Sequence, residues 1–206
     1  SDGTYTTNQP LIINITNTND NAPVISGLPT SISVAENQTA VVTVSASDPD
    51  GDSLTYSLSG ADAAYLTINS SGVITFNSSP DYETKTNYSI TVNVSDATNS
   101  TSQGVIINIL NVNDNSPVIS GMSSSISVAE NQTAVVTISA SDVEGGNLTY
   151  FLSGTDAAYL TISSSGIITF NTAPDYETKS NYSIAVNVSD GTYTTNQPLI
   201  INITNT

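Results

Sequence analysis

The sequence predicts an all-β chain built from tandem seven-stranded Greek-key β-sandwiches placed end to end. Three observations lead there. Apolar residues recur with period two in short runs, the mark of half-buried antiparallel strands. Turn-forming Gly, Pro, Asp and Asn separate those runs. The whole pattern also repeats after 94 residues: 19–112 align with 113–206 without a gap, at about 69 identical positions.

The strands can be read in order. In Ala40 to Ser47, Val42, Val44 and Ala46 share one face, and Val41, Thr43, Ser45 and Ser47 the other. From Tyr88 to Asp96, Tyr88, Ile90, Val92 and Val94 alternate with Ser89, Thr91, Asn93 and Ser95. Val105, Ile107 and Ile109 define the last strand of the repeat. Asp50-Gly51-Asp52, Ser59-Gly60, Ser71-Gly72 and Ser79-Pro80 supply the turns. About seven strands per 94 residues suit a β-sandwich. No segment has a capped helical pattern.

A longer period overlies this one. Residues 1–18 are identical to 189–206, whereas 95–112 are a diverged version of both. The expected organisation is therefore residues 1–18 as the last strand of a preceding repeat, 19–112 as repeat A and 113–206 as repeat B. A longer parent protein is expected, with signal and anchor elsewhere. Leu11, Ile13 and Ile15 would then face a core that these residues do not themselves supply.

Composition narrows function. The 206 residues include 18 acids and 2 Lys, no Arg, and no Cys, His or Trp, for a net charge of −16. Nucleic-acid phosphate requires a basic footprint, so nucleic acid is excluded as a partner. Without Cys there is no disulfide frame, thiolate zinc site or cysteine nucleophile. Without His the commonest general base is missing. No apolar run approaches the ~20 residues of a membrane span. An enzyme is not expected.

The acids gather at strand ends and turns: Asp20, Glu36, Asp48, Asp50, Asp52, Asp62, Asp81, Glu83 and Asp96 in repeat A, and Asp114, Glu130, Asp142, Glu144, Asp156, Asp175, Glu177 and Asp190 in repeat B. Asp2 stands at the repeat position of Asp96 and Asp190. Clustered carboxylates without basic partners point to hard cations held through oxygen. Asp81 and Glu83 could be read as a glycosidase pair. Their spacing of two on one segment, repeated in the next domain, suits metal ligation better.

Asn17-Thr18-Asn19-Asp20-Asn21-Ala22-Pro23 and Asn111-Val112-Asn113-Asp114-Asn115-Ser116-Pro117 resemble the linker motif of cadherin repeats. Glu36 and Glu130 match that family's early Glu, Asp81-Tyr82-Glu83 and Asp175-Tyr176-Glu177 its Asp-Arg-Glu, and Asp96 and Asp190 its late Asp. Asp48-Pro49-Asp50 matches its Asp-x-Asp, and Asp142-Val143-Glu144 does so less closely. The Asp-Pro-Asp-Gly-Asp-Ser-Leu-Thr-Tyr wording is more like the cadherin-like repeats of bacterial surface proteins. The resemblance covers the whole chain and implies a cadherin-like, Ig-like sandwich.

It also implies up to three calcium ions per junction between repeats. Carried onto this chain, Glu36, Asp81, Glu83 and Asp114 would hold the outermost ion. Glu36, Glu83, Asn111, the Val112 carbonyl, Asp114 and Glu144 would hold the middle one, and Asp142, Glu144, Asn113, the Asn115 carbonyl and Asp190 the third. Asn17, Asn19, Asp20, Asn21, Asp48, Asp50 and Asp96 would serve the junction before repeat A, and Glu130, Asp175 and Glu177 the one after repeat B. Two departures stand out: Asn111 and Asn17 replace an Asp, and Glu144 replaces a shorter Asp.

The function so implied is a calcium-rigidified segment of a long extracellular stalk, adhesin or filament at the cell surface. Its partners would be neighbouring repeats, like filaments or surface glycans. A carbohydrate-binding or homotypic adhesion module is the alternative, although no Trp platform is present. A filament in which residues 1–18 complete a neighbour's sandwich is a third. Asp62 and Asp156 read as solvated turn residues. Lys85 and Lys179 read as relieving the charge of the adjacent Asp-Tyr-Glu, and Tyr56, Tyr88, Tyr150 and Tyr182 as core or edge aromatics. Glycosylation sequons occur at Asn37, Asn87, Asn93 and Asn99, with Asn87 and Asn93 on the outward face of their strand.

Overall fold

A computed structural model describes residues 3–5 and 8–206. The chain divides into two compact units, with the break between Leu110 and Asn111. In the first unit β1 (Val24–Ser26) pairs with β4 (Ser45–Ser47). β3 (Ala40–Thr43) pairs with β7 (Val73–Phe76), which also pairs with β6 (Leu66–Ile68). The larger sheet has the order β2 (Ser31–Ala35), β9 (Ser100–Leu110), β8 (Asn87–Ser95), β5 (Thr55–Ser59). β2 runs parallel to β9, and the other two pairings are antiparallel.

The alternation of apolar residues decides which face is buried. Tyr88, Ile90, Val92 and Val94 on β8 and Val105, Ile107 and Ile109 on β9 are all buried, packing with Leu66, Ile74 and Phe76 from the smaller sheet. A fully buried Ile or Val stabilises the fold by about 1.5–3 kcal/mol, so these strands carry much of the stability. Truncating Ile107 to Ala, at 0 % exposure, costs about 2–5 kcal/mol because the cavity cannot collapse.

The second unit repeats this arrangement with β10 (Val118–Ser120), β11 (Ser125–Ala129), β12 (Ala134–Thr137), β13 (Ser139–Ser141), β14 (Thr149–Ser153), β15 (Leu160–Ile162), β16 (Ile167–Phe170), β17 (Asn181–Ser189) and β18 (Thr194–Thr204). Its sheets are ordered β11-β18-β17-β14, β12-β16-β15 and β10-β13. Each unit also has a 3-10 turn, Ala63–Tyr65 and Ala157–Tyr159.

The seven expected strands become nine segments because two are broken. The first divides into β1 and β2. The second, expected as one run from Ala40 to Ser47, is bulged between Ala40 and Val42 and breaks at Val44. There the Val44 N–H donates to the Gly72 carbonyl at 2.8 Å, and the strand changes partner from β7 to β1. The approach is so close that a Cβ on Gly72 would sit 2.5 Å from the Val44 carbonyl oxygen.

Of residues 1–18, Ser1, Asp2, Thr6 and Thr7 lie outside the described residues. Residues 8–18 hold no strand, and Leu11, Ile13 and Ile15 are 82, 77 and 94 % exposed. The identical residues of repeat B, Leu199, Ile201 and Ile203, are buried in β18. One sequence thus has two burials, and the difference is a sheet to join.

Candidate metal-binding ends of each repeat

Each repeat presents side-chain carboxylate and amide oxygens at both ends of its long strands. β8 alone has nine residues, at ~3.3 Å each, so the two ends of a repeat lie about 30 Å apart.

One end is built where β2 stops. The Glu36 N–H extends the ladder to the Leu110 carbonyl at 3.1 Å. Asn37 then turns with φ 63°, a left-handed conformation that Asn tolerates, and its N–H donates to the Pro80 carbonyl at 3.0 Å. That turn lays the Glu36 carboxylate, 2 % exposed, against the 80–85 loop, where it accepts from the Tyr82 N–H at 2.8 Å. Carboxylate oxygens of Glu36 and Glu83 lie within 4.8 Å of each other. Asp81 folds the loop, accepting from the Glu83 N–H at 3.0 Å and the Thr84 hydroxyl at 2.7 Å. The Thr84 hydroxyl is first among the donors that hold its carboxyl below the usual range.

Repeat B builds the same group. Glu130, Asp175 and Glu177 each place a carboxylate oxygen within 4.8 Å of the others. Glu130 accepts from the N–H groups of Tyr176 and Thr206, and Glu177 from the Asn205 side-chain amide.

The other end gathers the turn after β4, the hairpin after β8 and the segment before β1. Asp48 closes the first turn, its Oδ1 accepting from the Asp50 N–H at 2.8 Å. Asp50 accepts from the N–H groups of Asp20 and Asn21 at 3.1 and 2.9 Å. The Asn21 N–H leads the donors that keep Asp50 below its ordinary value. Asn17 donates to the Asp50 carbonyl at 2.6 Å, and Asn19 accepts weakly from Asn99. Asp96, 6 % exposed, accepts from the N–H groups of Asn99 and Thr98 at 2.6 and 2.7 Å. Asp52 was not in the expected ligand set, yet Asp48, Asp50 and Asp52 bring carboxylate oxygens within 4.8 Å of one another. Their alternation at i, i+2 and i+4 around Gly51 was the available signal.

In repeat B, Glu144 takes the place of Asp50 and accepts from both the backbone and side-chain N–H groups of Asn115. Burial works to raise it, but the Asn115 amide leads the donors that bring it down to about 2. Asp142 is raised, first by the Glu144 side chain beside it. Asp190 accepts from the N–H groups of Thr192 and Tyr193. Asp114 accepts from the Asn115 side-chain amide, while Asn111 and Val112 lie in a strandless, exposed stretch before it.

The donor set fits calcium. Among the described residues, buried oxygens with no hydrogen-bond donor include Asp48 Oδ2 and Asp96 Oδ2 in repeat A, and Asn113 Oδ1, Asp142 Oδ2, Glu144 Oε2 and Asp190 Oδ2 in repeat B. A buried carboxylate oxygen without a donor is costly and calls for a cation. All these ligands are hard oxygens, the set calcium takes.

No side chain of this protein supplies that cation. Lys85 and Lys179, its only two basic residues, bond instead to Asp62 and Asp156. The expectation that Asp62 and Asp156 are solvated is therefore incorrect: they are 9 and 6 % exposed. Each also accepts from a strand N–H, that of Ser89 or Ser183. The lysines do not relieve the neighbouring Asp-Tyr-Glu. Each lies about 5 Å from two tyrosine rings, Lys85 over Tyr65 and Tyr88, and Lys179 over Tyr159 and Tyr182.

Asn93 also departs from the expectation of an outward glycan acceptor. It is half-buried, donating to the Ser59 hydroxyl and accepting from the Ser102 hydroxyl.

Two sandwiches in one chain, each with acidic clusters at both ends, define a tandem-repeat module of cadherin-like type. Residues 19–108 and 113–204 both match the bacterial Ig domain family, and the chain belongs to that family. It is 29 % identical over 192 residues to mouse Cadherin EGF LAG seven-pass G-type receptor 1, covering 86 % of this chain and 6 % of that protein. Chitinase A of Pseudoalteromonas piscicida is 34 % identical over 129 residues, 63 % of this chain and 16 % of the enzyme. The chain thus spans only a small part of either relative. Among solved structures, mouse Cadherin-23 EC22-24 matches with a TM-score of 0.73 at 26 % identity, over 91 % of this chain and 66 % of that one. Among the described residues, no helix is long and apolar enough to cross a membrane.

Proposed function

We propose that this chain is a non-catalytic segment of an extracellular stalk, adhesin or filament, in which calcium bound between consecutive repeats makes a flexible joint stiff. Residues 1–18 then belong to a preceding repeat, 19–112 form repeat A and 113–206 form repeat B. The observation that carries this reading is the set of buried carboxylate oxygens without donors at the repeat ends, while both lysines are engaged elsewhere.

By the cadherin resemblance, the ligands of the joint between A and B would be Glu36, Asp81, Glu83, Asp114, Asp142, Glu144 and Asp190, with neutral oxygens from Asn111, Val112, Asn113 and Asn115. Two carboxylates ~5 Å apart repel by roughly 3 kcal/mol at an effective dielectric near 20. Several such pairs would hold the repeats apart until divalent cations neutralise them. Three calcium ions would supply six positive charges against seven negative ones. Affinities of about 10⁻⁴–10⁻³ M are usual for extracellular modules.

Small-angle scattering of the chain in calcium and in chelator tests the proposal. The expected result is one narrow, extended distance distribution in calcium and a broad, shorter one in chelator. Identical curves would refute the joint mechanism. The relationship to chitinase A favours a second reading, polysaccharide binding, which retention on chitin or cellulose would support.

A further inference from the structure

Repeat A carries one carboxylate that repeat B lacks. Its turn after β4 reads Asp48-Pro49-Asp50-Gly51-Asp52, and the matching turn of repeat B reads Asp142-Val143-Glu144-Gly145-Gly146. The cadherin motif accounts for Asp48, Asp50 and Asp96 but leaves Asp52 without a role.

The geometry gives it one. The Gly51 N–H closes the turn on the Asp48 carbonyl at 3.2 Å, and the N–H groups of Asp50 and Asp52 converge on Asp48 Oδ1 at 2.8 and 3.3 Å. This brings oxygens of Asp48, Asp50 and Asp52 within 4.8 Å of one another. Asp48 Oδ2 is left buried without a donor. A second group stands at the same end: Asn99, whose N–H Asp96 accepts, donates its side-chain amide to the Asn21 carbonyl, and the Asn21 N–H donates to Asp50. Asp96 is only 6 % exposed, its Oδ2 has no donor, and its charge acts on both Asp50 and Asp52. Four carboxylates with no basic side chain among them concentrate negative charge at one end of one repeat.

We propose that Asp48, Asp50, Asp52 and Asp96 form a repeat-A cation site in which Asp52 adds a ligand of its own, so that repeat A holds calcium more tightly than repeat B does at the same end. The proposal rests on the reading of the acidic ends as calcium sites and deepens it. Ligand charge count tunes the affinity of such sites. Joints entering A-type and B-type repeats would then fill at different calcium concentrations, so an alternating array stiffens in two stages.

Repeat B offers the reciprocal variant. Gly146 does not have a positive φ, and a Cβ there meets nothing within 4 Å, so Gly146→Asp introduces the missing carboxylate without strain. Calcium titration calorimetry on the full chain, wild type against Asp52→Gly and Gly146→Asp, is the test. Asp52→Gly is expected to weaken one binding class by about tenfold or more, with melting in chelator unchanged or higher. Gly146→Asp is expected to strengthen a weaker class. Wild-type binding with Asp52→Gly indistinguishable from it would overturn the role of Asp52 while leaving the calcium reading intact. Absence of any calcium binding by the wild type would overturn both.

Discussion

Lys85 Nζ lies 2.6 Å from Asp62 Oδ1, and with its counterpart in repeat B this pair takes up every basic side chain of the protein. The lock joins the loop after Glu83 to the 3-10 turn before β6 and to β8, since Asp62 Oδ2 also accepts the Ser89 N–H at 2.8 Å. The acidic ends are left with negative charge alone.

The lock gives a pH prediction. The Lys side chain is the first cause of the lowered pKa of both Asp62 and Asp156, and each Asp in turn raises its Lys. A depressed carboxyl contributes stability above its unfolded value of about 3.9 that is lost as pH falls through its lower folded value. Replacing Lys85 and Lys179 by Met should lower the melting temperature in chelator at neutral pH by several degrees. The deficit should close once the pH falls through the lowered carboxyl values of Asp62 and Asp156 and both protonate. A deficit that persists unchanged in acid would mean the loss is packing alone.

Ala97 has φ 81°, where repeat B has Gly191 at φ 100°. A left-handed Ala is strained by roughly 1–2 kcal/mol, partly offset by the extra unfolded-state freedom of Gly. Ala97→Gly should therefore stabilise repeat A by about 0.5–1 kcal/mol in urea titration. Destabilisation would show that the Ala97 methyl makes a contact that matters.

Gly72→Ala should do the opposite. Its Cβ would meet the Val44 carbonyl oxygen at 2.5 Å, and φ is 76°. Losing the close approach where the second strand changes sheets should cost about 2–4 kcal/mol. Gly166→Ala, whose Cβ would meet the Ile138 carbonyl oxygen, should behave alike. Wild-type urea midpoints for both would contradict this account of the strand break.

Glu36→Gln separates charge from packing. The Gln amide oxygen can still accept the Tyr82 N–H, so melting in chelator should be unchanged or slightly raised by relief of repulsion from Glu83. The gain in melting temperature on adding calcium should shrink. An unchanged gain would remove Glu36 from the calcium-linked residues.

Much of the fold was legible because it is local. Tyr88, Ile90, Val92 and Val94 alternate along one strand, and a period of two needs no partner to be recognised. The break at Val44 was not legible: its alternation runs straight through, and only the distant Gly72 carbonyl shows where the strand changes sheets. Asp62 and Lys85 stand 23 residues apart in sequence, so their pairing is a tertiary fact that composition hides. The candidate site was more accessible, since Glu36 and Asp81-Tyr82-Glu83 recur as Glu130 and Asp175-Tyr176-Glu177. Asp52 escaped because it belongs to one repeat only, and Asn93 because outward facing is not the same as exposed.

The most direct test of the account is scanning calorimetry of the full chain in chelator and in millimolar calcium. A site with a dissociation constant of about 10⁻⁴–10⁻³ M adds roughly 0.4–1.4 kcal/mol of stability at 1 mM calcium, and more as calcium rises. The melting temperature should rise in calcium and keep rising with calcium concentration. Superimposable melting curves would contradict it.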